Sequence, residues 1–194
     1  FKRVSINGNN KNIEKILEDK EGRIFLLTIT DLYQYDEKNN KAIIRLSKMV
    51  EKNCYNYSCH IDRKDVMWIV TPYSVKGYRT QDLKLIVQSP VQSYPIASFL
   101  LDGHQLYISG YNGMQLFDTN TRKWQHLPEA LQGLQIPNDM VNGIHPYGAK
   151  GNLLLSTTKH GLLYFNAQKG TILPQSDKKF PFEVPDMQVN KMLT

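Results

Sequence analysis

The side chains most suited to chemistry in this 194-residue chain are five histidines and two cysteines. No two histidines show the four-residue spacing, with a glutamate between them, that holds zinc on one face of a helix. The chain also lacks a Gly-x-Ser-x-Gly nucleophile turn and a glycine-rich phosphate loop. The sequence therefore predicts no catalytic residue, no metal site and no cofactor. The histidines are His60, His104, His126, His145 and His160.

Cys54 and Cys59 lie five residues apart. In an extended strand each residue advances about 3.3 Å, which separates the two thiols too far for a disulfide unless the chain turns between them. The spacing of Cys54, Cys59 and His60 is not usual for zinc, and no second pair completes four ligands. Two unpaired thiols are expected.

Binding chemistry has better candidates, which lie in short polar segments between apolar runs. The rings of Tyr73 and Tyr111 would offer flat surfaces on which the apolar part of a ligand can stack. Asn112, Lys159 and His160 can form hydrogen bonds with hydroxyl groups or with an acidic group. The alternative is that all five are ordinary turn residues, and the choice depends on the elements that hold them.

The segment Leu106–Asp118 indicates what those elements are. It reads as an apolar strand, an Asn112-Gly113 turn and a second strand, because Asn-Gly tolerates the positive φ of a two-residue hairpin turn. The same hairpin occurs three more times with substitutions. Paired aromatic or apolar residues, ten or eleven positions apart, mark the copies: Phe25 with Tyr35, Trp68 with Tyr78, Tyr107 with Phe117, and Leu154 with Phe165.

The first members of successive pairs are 43, 39 and 47 residues apart. A period near 40 with four short strands per repeat is typical of a β-propeller. One four-stranded meander is apolar on both faces and cannot bury either alone, so neighbouring blades must cover it. We therefore expect the eight paired residues to form the core between blades.

The predicted fold is all-β: a β-propeller with four-stranded antiparallel blades, present as a partial ring or an excerpt of a larger propeller. Blades are expected at 12–48, 55–89, 95–128 and 139–174, with an outer strand of a preceding blade at 1–8 and the first strand of a following blade at 187–194. The last strands of the second and third blades are expected at 83–87 and 123–127. One helical turn is expected at Glu129–Gln132, and self-association is expected because blade faces would be exposed. The corner between the second and third strands of each blade carries the candidate binding residues, since loops on a rigid scaffold are where ligands dock.

Composition agrees with a folded domain, since hydrophobic residues make up 41% and charged residues 22%. The net charge is +6, but Lys and Arg are scattered and usually lie near Asp or Glu. This pattern predicts a solvated surface rather than a patch for nucleic acid. No apolar run approaches the roughly 18 residues needed to span a bilayer.

The repeats resemble the two-component regulator propeller family. Its blades carry a Trp-Ile-Gly-Thr step, then Asn-Gly-Leu, then Tyr-Asp, after a lead-in of the type Ile-x-Glu-Asp-x-x-Gly. Ile16–Gly22 matches the lead-in. The first step is represented by Phe25–Thr28 and Trp68–Thr71, the second by Asn112–Met114 and His160–Leu162, and the third by Tyr35-Asp36, Phe117-Asp118 and Phe165-Asn166. No copy has the glycine before threonine, only one keeps the tryptophan, and the second copy ends with Tyr78-Arg79.

This resemblance implies a non-catalytic, ligand-sensing segment of a hybrid two-component receptor. Such propellers are similar to the periplasmic sensors of glycan-degrading gut bacteria, which bind oligosaccharides and signal by changing how the sensor halves pack. The full-length protein would be a histidine kinase anchored in the inner membrane. Implied partners are an oligosaccharide, the remaining blades and a downstream sensor domain of the same chain, with a homodimer left open. A scaffold propeller for protein partners and a propeller-fold lyase remain the alternatives.

Overall fold

The structure is a computed structural model that describes residues 5–6, 12–49, 58–134 and 140–183. These ranges hold one short helix and seventeen strands, and they are nearly all β. The strands are β1 (Ser5–Ile6), β2 (Lys15–Glu18), β3 (Ile24–Leu27), β4 (Leu32–Asp36), β5 (Lys41–Leu46), β6 (Ser58–Ile61), β7 (Val66–Val70), β8 (Ser74–Arg79), β9 (Leu85–Pro90), β10 (Pro95–Leu101), β11 (Gln105–Gly110), β12 (Gly113–Asp118), β13 (Lys123–Gln125), β14 (Val141–Pro146), β15 (Leu153–Thr157), β16 (Gly161–Asn166) and β17 (Thr171–Pro174). The helix, α1, is Glu129–Gln132.

The strands form four sheets, each built on an antiparallel meander of four consecutive strands. The second strand of each meander is the most apolar, and every residue of β7 and of β15 is buried. Outer strands such as β5 are mostly exposed. A strand that is apolar on both sides must be covered on both sides, which a single sheet cannot do for itself.

Contacts divide the described chain into two compact units. The first comprises the residues up to Thr71 together with Val75–Ser89, and the second comprises Pro72–Ser74 and the residues from Pro90 onward. In the first unit the sheet orders are β1-β5-β4-β3-β2 and β6-β7-β8-β9. Its core consists of Phe25, Leu27, Leu32, Met49, Cys59, Met67, Ile69 and Leu83.

The second unit contains the sheets β10-β11-β12-β13 and β14-β15-β16-β17, with α1 between them in sequence. Its core joins residues of both sheets to Leu131 of the helix, which is fully buried. The helical turn expected at Glu129–Gln132 is therefore present, and burial of Leu131 explains why this segment folds back on the strands.

Six of the eight residues expected in the core are buried: Phe25, Trp68, Tyr107, Leu154, Phe117 and Phe165. The remaining two, Tyr35 and Tyr78, are half-buried. The hydroxyl of Tyr35 donates a hydrogen bond to the side-chain oxygen of Asn40 at 3.0 Å, which keeps the polar end of this ring near the surface turn.

Two outer strands differ from the sequence-based expectation. Leu83 was expected to begin a strand, but it has φ +55° and lies in the turn before β9 with its side chain in the core. β13 was expected to reach Leu127 and ends at Gln125. The carbonyl of Leu127 instead accepts a hydrogen bond from Gln132 Nε2 at 2.8 Å, and Pro128 has no N–H to extend a ladder.

Predictions near the chain ends and in the cysteine segment are addressed only in part. Ser5–Ile6 pairs in parallel with β5 and so belongs to the first sheet, whereas the rest of 1–8 lies outside the described residues, as do 187–194 and Cys54. The division into blades stays a prediction. Cys59 is a free, buried thiol, and burial raises its pKa to about 12.

Among the described residues, no helix is long and apolar enough to cross a membrane. The same ranges hold no group of three His, Cys, Asp or Glu side chains placed to bind a metal ion.

Candidate functional site

Threonine hydroxyls fix the first and the fourth of the corners between second and third strands. At the first corner Thr28 Oγ1 accepts a hydrogen bond from the backbone N–H of Asp31 and donates one to its carbonyl, both at 3.1 Å. At the fourth corner Thr157 Oγ1 accepts from the N–H of His160 at 3.2 Å and donates to the carbonyl of Gly161 at 3.1 Å. These reciprocal bonds satisfy backbone groups locally and hold the corners in shape.

The third corner, Tyr111-Asn112, is held by the segment Ser93-Tyr94, which comes directly before β10. The N–H of Asn112 donates to Ser93 Oγ at 2.8 Å, and the N–H of Tyr111 donates to the carbonyl of Tyr94 at 3.2 Å. The rings of Tyr94 and Tyr111 lie 5.9 Å apart. Gly110 is required here, because a Cβ at that position would lie 2.6 Å from the Tyr94 carbonyl oxygen.

The five candidate binding residues all lie in the second unit, on corners, with exposed side chains: Tyr73, Tyr111, Asn112, Lys159 and His160. Tyr111 and Asn112 share one corner, Lys159 and His160 share another, and the carbonyl of Tyr73 accepts a hydrogen bond from Val91 at 3.1 Å. The corner at Tyr111 is thus an aromatic ring and an amide on a rigid support, open to solvent. A ligand role for these residues stays a prediction.

A pocket of about 330 Å³ lies on the same sheet, where β13 stops short. β13 pairs only with Leu116–Asp118, so the part of β12 next to the corner has no β13 partner opposite it. In the neighbouring sheet the last strand, β17, is followed by a residue that still bonds to β16: the N–H of Gln175 donates to the carbonyl of Leu162 at 2.9 Å. The edge of β16 is therefore covered where the corresponding edge of β12 is not. We call this space the Gln115 pocket, and its lining consists of Gln92, Met114, Gln115, Leu116, Trp124, Gln125, His126, Leu127 and Gln132.

Gln115 links this pocket to Gln92, the residue directly before the Ser93-Tyr94 segment that holds the third corner. Its Oε1 accepts a hydrogen bond from the backbone N–H of Gln92 at 2.8 Å. Its side chain is buried, with 7% of the residue exposed, and Nε2 has no hydrogen-bond partner among the described residues. Leaving such a donor unsatisfied costs about 1–3 kcal/mol.

None of the nine described residues around the Gln115 pocket is Asp, Glu, Lys or Arg. Four of them are glutamines, whose amides both donate and accept hydrogen bonds. Met114, Leu116, Leu127 and the half-buried Trp124 add apolar surface. Such a lining suits a neutral ligand with both polar and apolar groups.

Sequence reasoning missed the Gln115 pocket, because the glutamines are scattered and form no motif. The available signal was Pro128, which limits how far β13 can extend. Sequence reasoning included Asp19 in the lead-in motif but did not predict that two aspartates would be buried. Asp19 and Asp62 each lie six residues before the buried aromatic of their sheets, Phe25 and Trp68, and each accepts two backbone N–H groups and one side-chain N–H.

Four four-stranded antiparallel meanders of this kind define a β-propeller segment. Solved structures share the fold. One is the extracellular domain attributed to the hybrid two-component system BT3049 from B. thetaiotaomicron, with a TM-score of 0.62 and 16% identity, covering 86% of this chain and 25% of that one. Another is the extracellular domain attributed to the hybrid two-component system BT4673 from the same organism, with a TM-score of 0.69 and 18% identity, covering 98% of this chain and 24% of that one. A third is BamB from Moraxella catarrhalis, with a TM-score of 0.56 and 16% identity, covering 81% of this chain and 47% of that one.

The chain therefore spans about a quarter of the length of these two extracellular domains. That such domains are among its structural neighbours agrees with the resemblance seen in the sequence, while identities of this size show the fold alone. No protein-family model and no curated protein matches the chain.

Proposed function

We propose that this chain is a ligand-sensing segment of an extracytoplasmic propeller that belongs to a hybrid two-component receptor. Oligosaccharides are the proposed ligands, and the segment itself is non-catalytic. The likeness to extracellular domains of such systems supports the sensing role. The observation that carries a binding role is the rigid, exposed corner of Tyr111 and Asn112.

In this proposal the corners make the ligand contacts. Tyr73 and Tyr111 stack on sugar rings, while Asn112, Lys159 and His160 form hydrogen bonds with hydroxyl groups or an acidic substituent. The proposed location is the periplasm. The remaining blades and a downstream sensor domain complete the receptor, with the kinase and its inner-membrane anchor elsewhere in the full-length protein.

Calorimetry of the 194-residue chain against a panel of neutral and acidic oligosaccharides tests the proposal. We expect at least one sugar to bind, and Tyr111→Ala to weaken it roughly tenfold because a stacking contact is lost. Lys123→Ala is the matched control, since this exposed residue begins β13 at the opposite end of the same sheet. No heat with any sugar from a folded chain, alongside stable binding of a protein partner, would contradict the proposal and favour a scaffold.

A further inference from the structure

We propose that the Gln115 pocket binds the acetamido group of a neutral N-acetylated sugar, using Gln115 Nε2 as the donor to its carbonyl oxygen. This inference rests on the proposed sensing of oligosaccharides and deepens it, by naming a second contact region and a substituent. The corner residues do not line the pocket. The two regions are therefore separable by mutation.

The buried amide of Gln115 defines the missing partner. One end of the amide is already used, because Oε1 accepts from the N–H of Gln92. Rotation of the amide would break that bond, so Nε2 stays the donor and needs an acceptor. A carbonyl oxygen is the acceptor that amide donors meet throughout protein interiors.

The surroundings of Gln115 suit the rest of an acetamido group. Trp124 pairs with Phe117, which shares one face of β12 with Gln115, so the indole provides apolar surface on the side of the donor. Leu127 also lines the pocket. The neighbours Met114 and Leu116 point to the opposite face, where they belong to the core of the second unit. The indole of Trp124, half-buried on the adjacent strand, can contact the face of a sugar ring. The lining contains no Lys or Arg, so the charge of a carboxylated or sulfated sugar would lose hydration there without gaining a lysine or arginine as its counter-charge.

Access requires a small movement, because Nε2 is shielded from solvent in this arrangement. Gln125, His126 and Gln132 are exposed members of the lining, and rotation of exposed side chains takes place within nanoseconds. In the proposed binding mode the ligand displaces these rim side chains to reach the buried donor, and displacing Gln132 breaks its hydrogen bond to the Leu127 carbonyl.

The size of the pocket favours a sugar unit over a peptide strand. A volume of about 330 Å³ lies at the lower end of the range for small-molecule sites. An extended peptide would have to pair with the uncovered edge of β12, which spans only Gly113–Gln115. Three residues are about half the length of a typical strand of five to six, which disfavours strand addition as the binding mode.

The test compares N,N′-diacetylchitobiose with cellobiose, which has hydroxyl groups in place of the acetamido groups. We expect the wild-type chain to bind diacetylchitobiose at least tenfold more tightly, as for one hydrogen bond to a buried donor. Gln115→Glu keeps an acceptor for the N–H of Gln92 and, as an ionised carboxylate at pH 8, has no donor, so at that pH it should abolish this preference. Gln125→Ala changes only the exposed rim and should weaken binding roughly threefold. Tyr111→Ala should leave the ratio between the two sugars unchanged.

The indole N–H signal of Trp124 in NMR spectra is the second readout, and it should shift on addition of diacetylchitobiose. The signal of Trp68, which is fully buried, should stay in place. Equal binding of the two sugars would overturn the inference, as would wild-type behaviour of both glutamine variants, or a Trp124 shift caused by a capped neutral peptide and not by the sugar. Sugar binding lost only in Tyr111→Ala would leave the proposed function standing without this pocket, whereas no sugar binding by a folded chain would contradict both.

Discussion

The indole N–H of Trp68 donates a hydrogen bond to the carboxylate of Asp62 at 2.8 Å in the interior of the first unit. The other oxygen of Asp62 accepts from the N–H groups of Lys64 and Val66 at 2.8 and 3.0 Å. One side chain therefore closes the turn before β7 and orients the largest core residue of its sheet. This makes Asp62 part of the scaffold and not part of a binding site.

Asp62→Ala should lower the free energy of unfolding by about 3 kcal/mol, because two backbone N–H groups and the indole N–H lose their acceptor inside the protein. Urea denaturation measures this loss. A double-mutant cycle with Trp68→Phe isolates the indole bond, and we expect a coupling energy of about 1–2 kcal/mol. A coupling energy near zero would show that the bond between Asp62 and Trp68 adds nothing to stability.

Gly77→Ala should also destabilise the first unit, through a steric clash. A Cβ on Gly77 would lie 2.8 Å from Val87 Cγ1 and 2.9 Å from Trp68 Cζ3, and overpacking of this kind costs about 1–3 kcal/mol. Gly133→Ala is the matched control, since no atom lies within 4 Å of a Cβ there and its φ is −79°. Thermal melts should shift for the first variant only, and equal melting temperatures would contradict the expected clash.

An apolar row on the first sheet should cause the isolated chain to self-associate. Ile16 pairs with Leu26, Leu26 with Tyr33, and Tyr33 with Ile44, so these four residues share one face. Ile16 and Ile44 are 65% and 51% exposed. Replacing both with Lys should raise the monomer fraction in analytical ultracentrifugation, because charge opposes apolar contact.

Ile43→Lys is the control for that experiment, as Ile43 is 50% exposed but points to the opposite face. It should leave the degree of association unchanged. A wild-type chain that is monomeric and melts cooperatively would contradict the expectation of self-association.

Because Cys59 is buried, the free energy of unfolding should decrease as the pH rises above 9. The folded-state pKa of Cys59 is raised to about 12 from an ordinary 9.0. The raised pKa has no effect below pH 9, where the thiol is protonated in both states. Above pH 9 the unfolded chain ionises first, so the free energy of unfolding falls by about 1.4 kcal/mol per pH unit up to the folded pKa.

The difference in melting temperature between pH 7 and pH 10 should therefore be larger for the wild type than for Cys59→Ala. In a Cys54→Ser background, where Cys59 is the only cysteine, alkylation at pH 8 should be slow for the folded chain and fast in urea. Rapid alkylation of the folded chain would show that Cys59 is accessible.

Most of the strands could be predicted from local sequence. Val66–Val70 is a continuous apolar run and Asn112-Gly113 is a hairpin turn, so both elements depend on residues close together in the chain. The errors fell on outer strands, where fewer contacts constrain the backbone. At Leu83 burial of the side chain in the core accompanies a positive φ that no strand pattern would predict.

The sequence by itself determined the repeat, the order of strands in each sheet and the side chains available at the corners, because short-range patterns encode these features. Only the tertiary structure decided that β13 ends early and that the backbone of Gln92 takes up one end of the Gln115 amide. Those two residues are 23 positions apart, and a bond across that distance forms only after two strands and a connection have packed together. The Gln115 pocket therefore depends on three-dimensional packing that no short sequence pattern records.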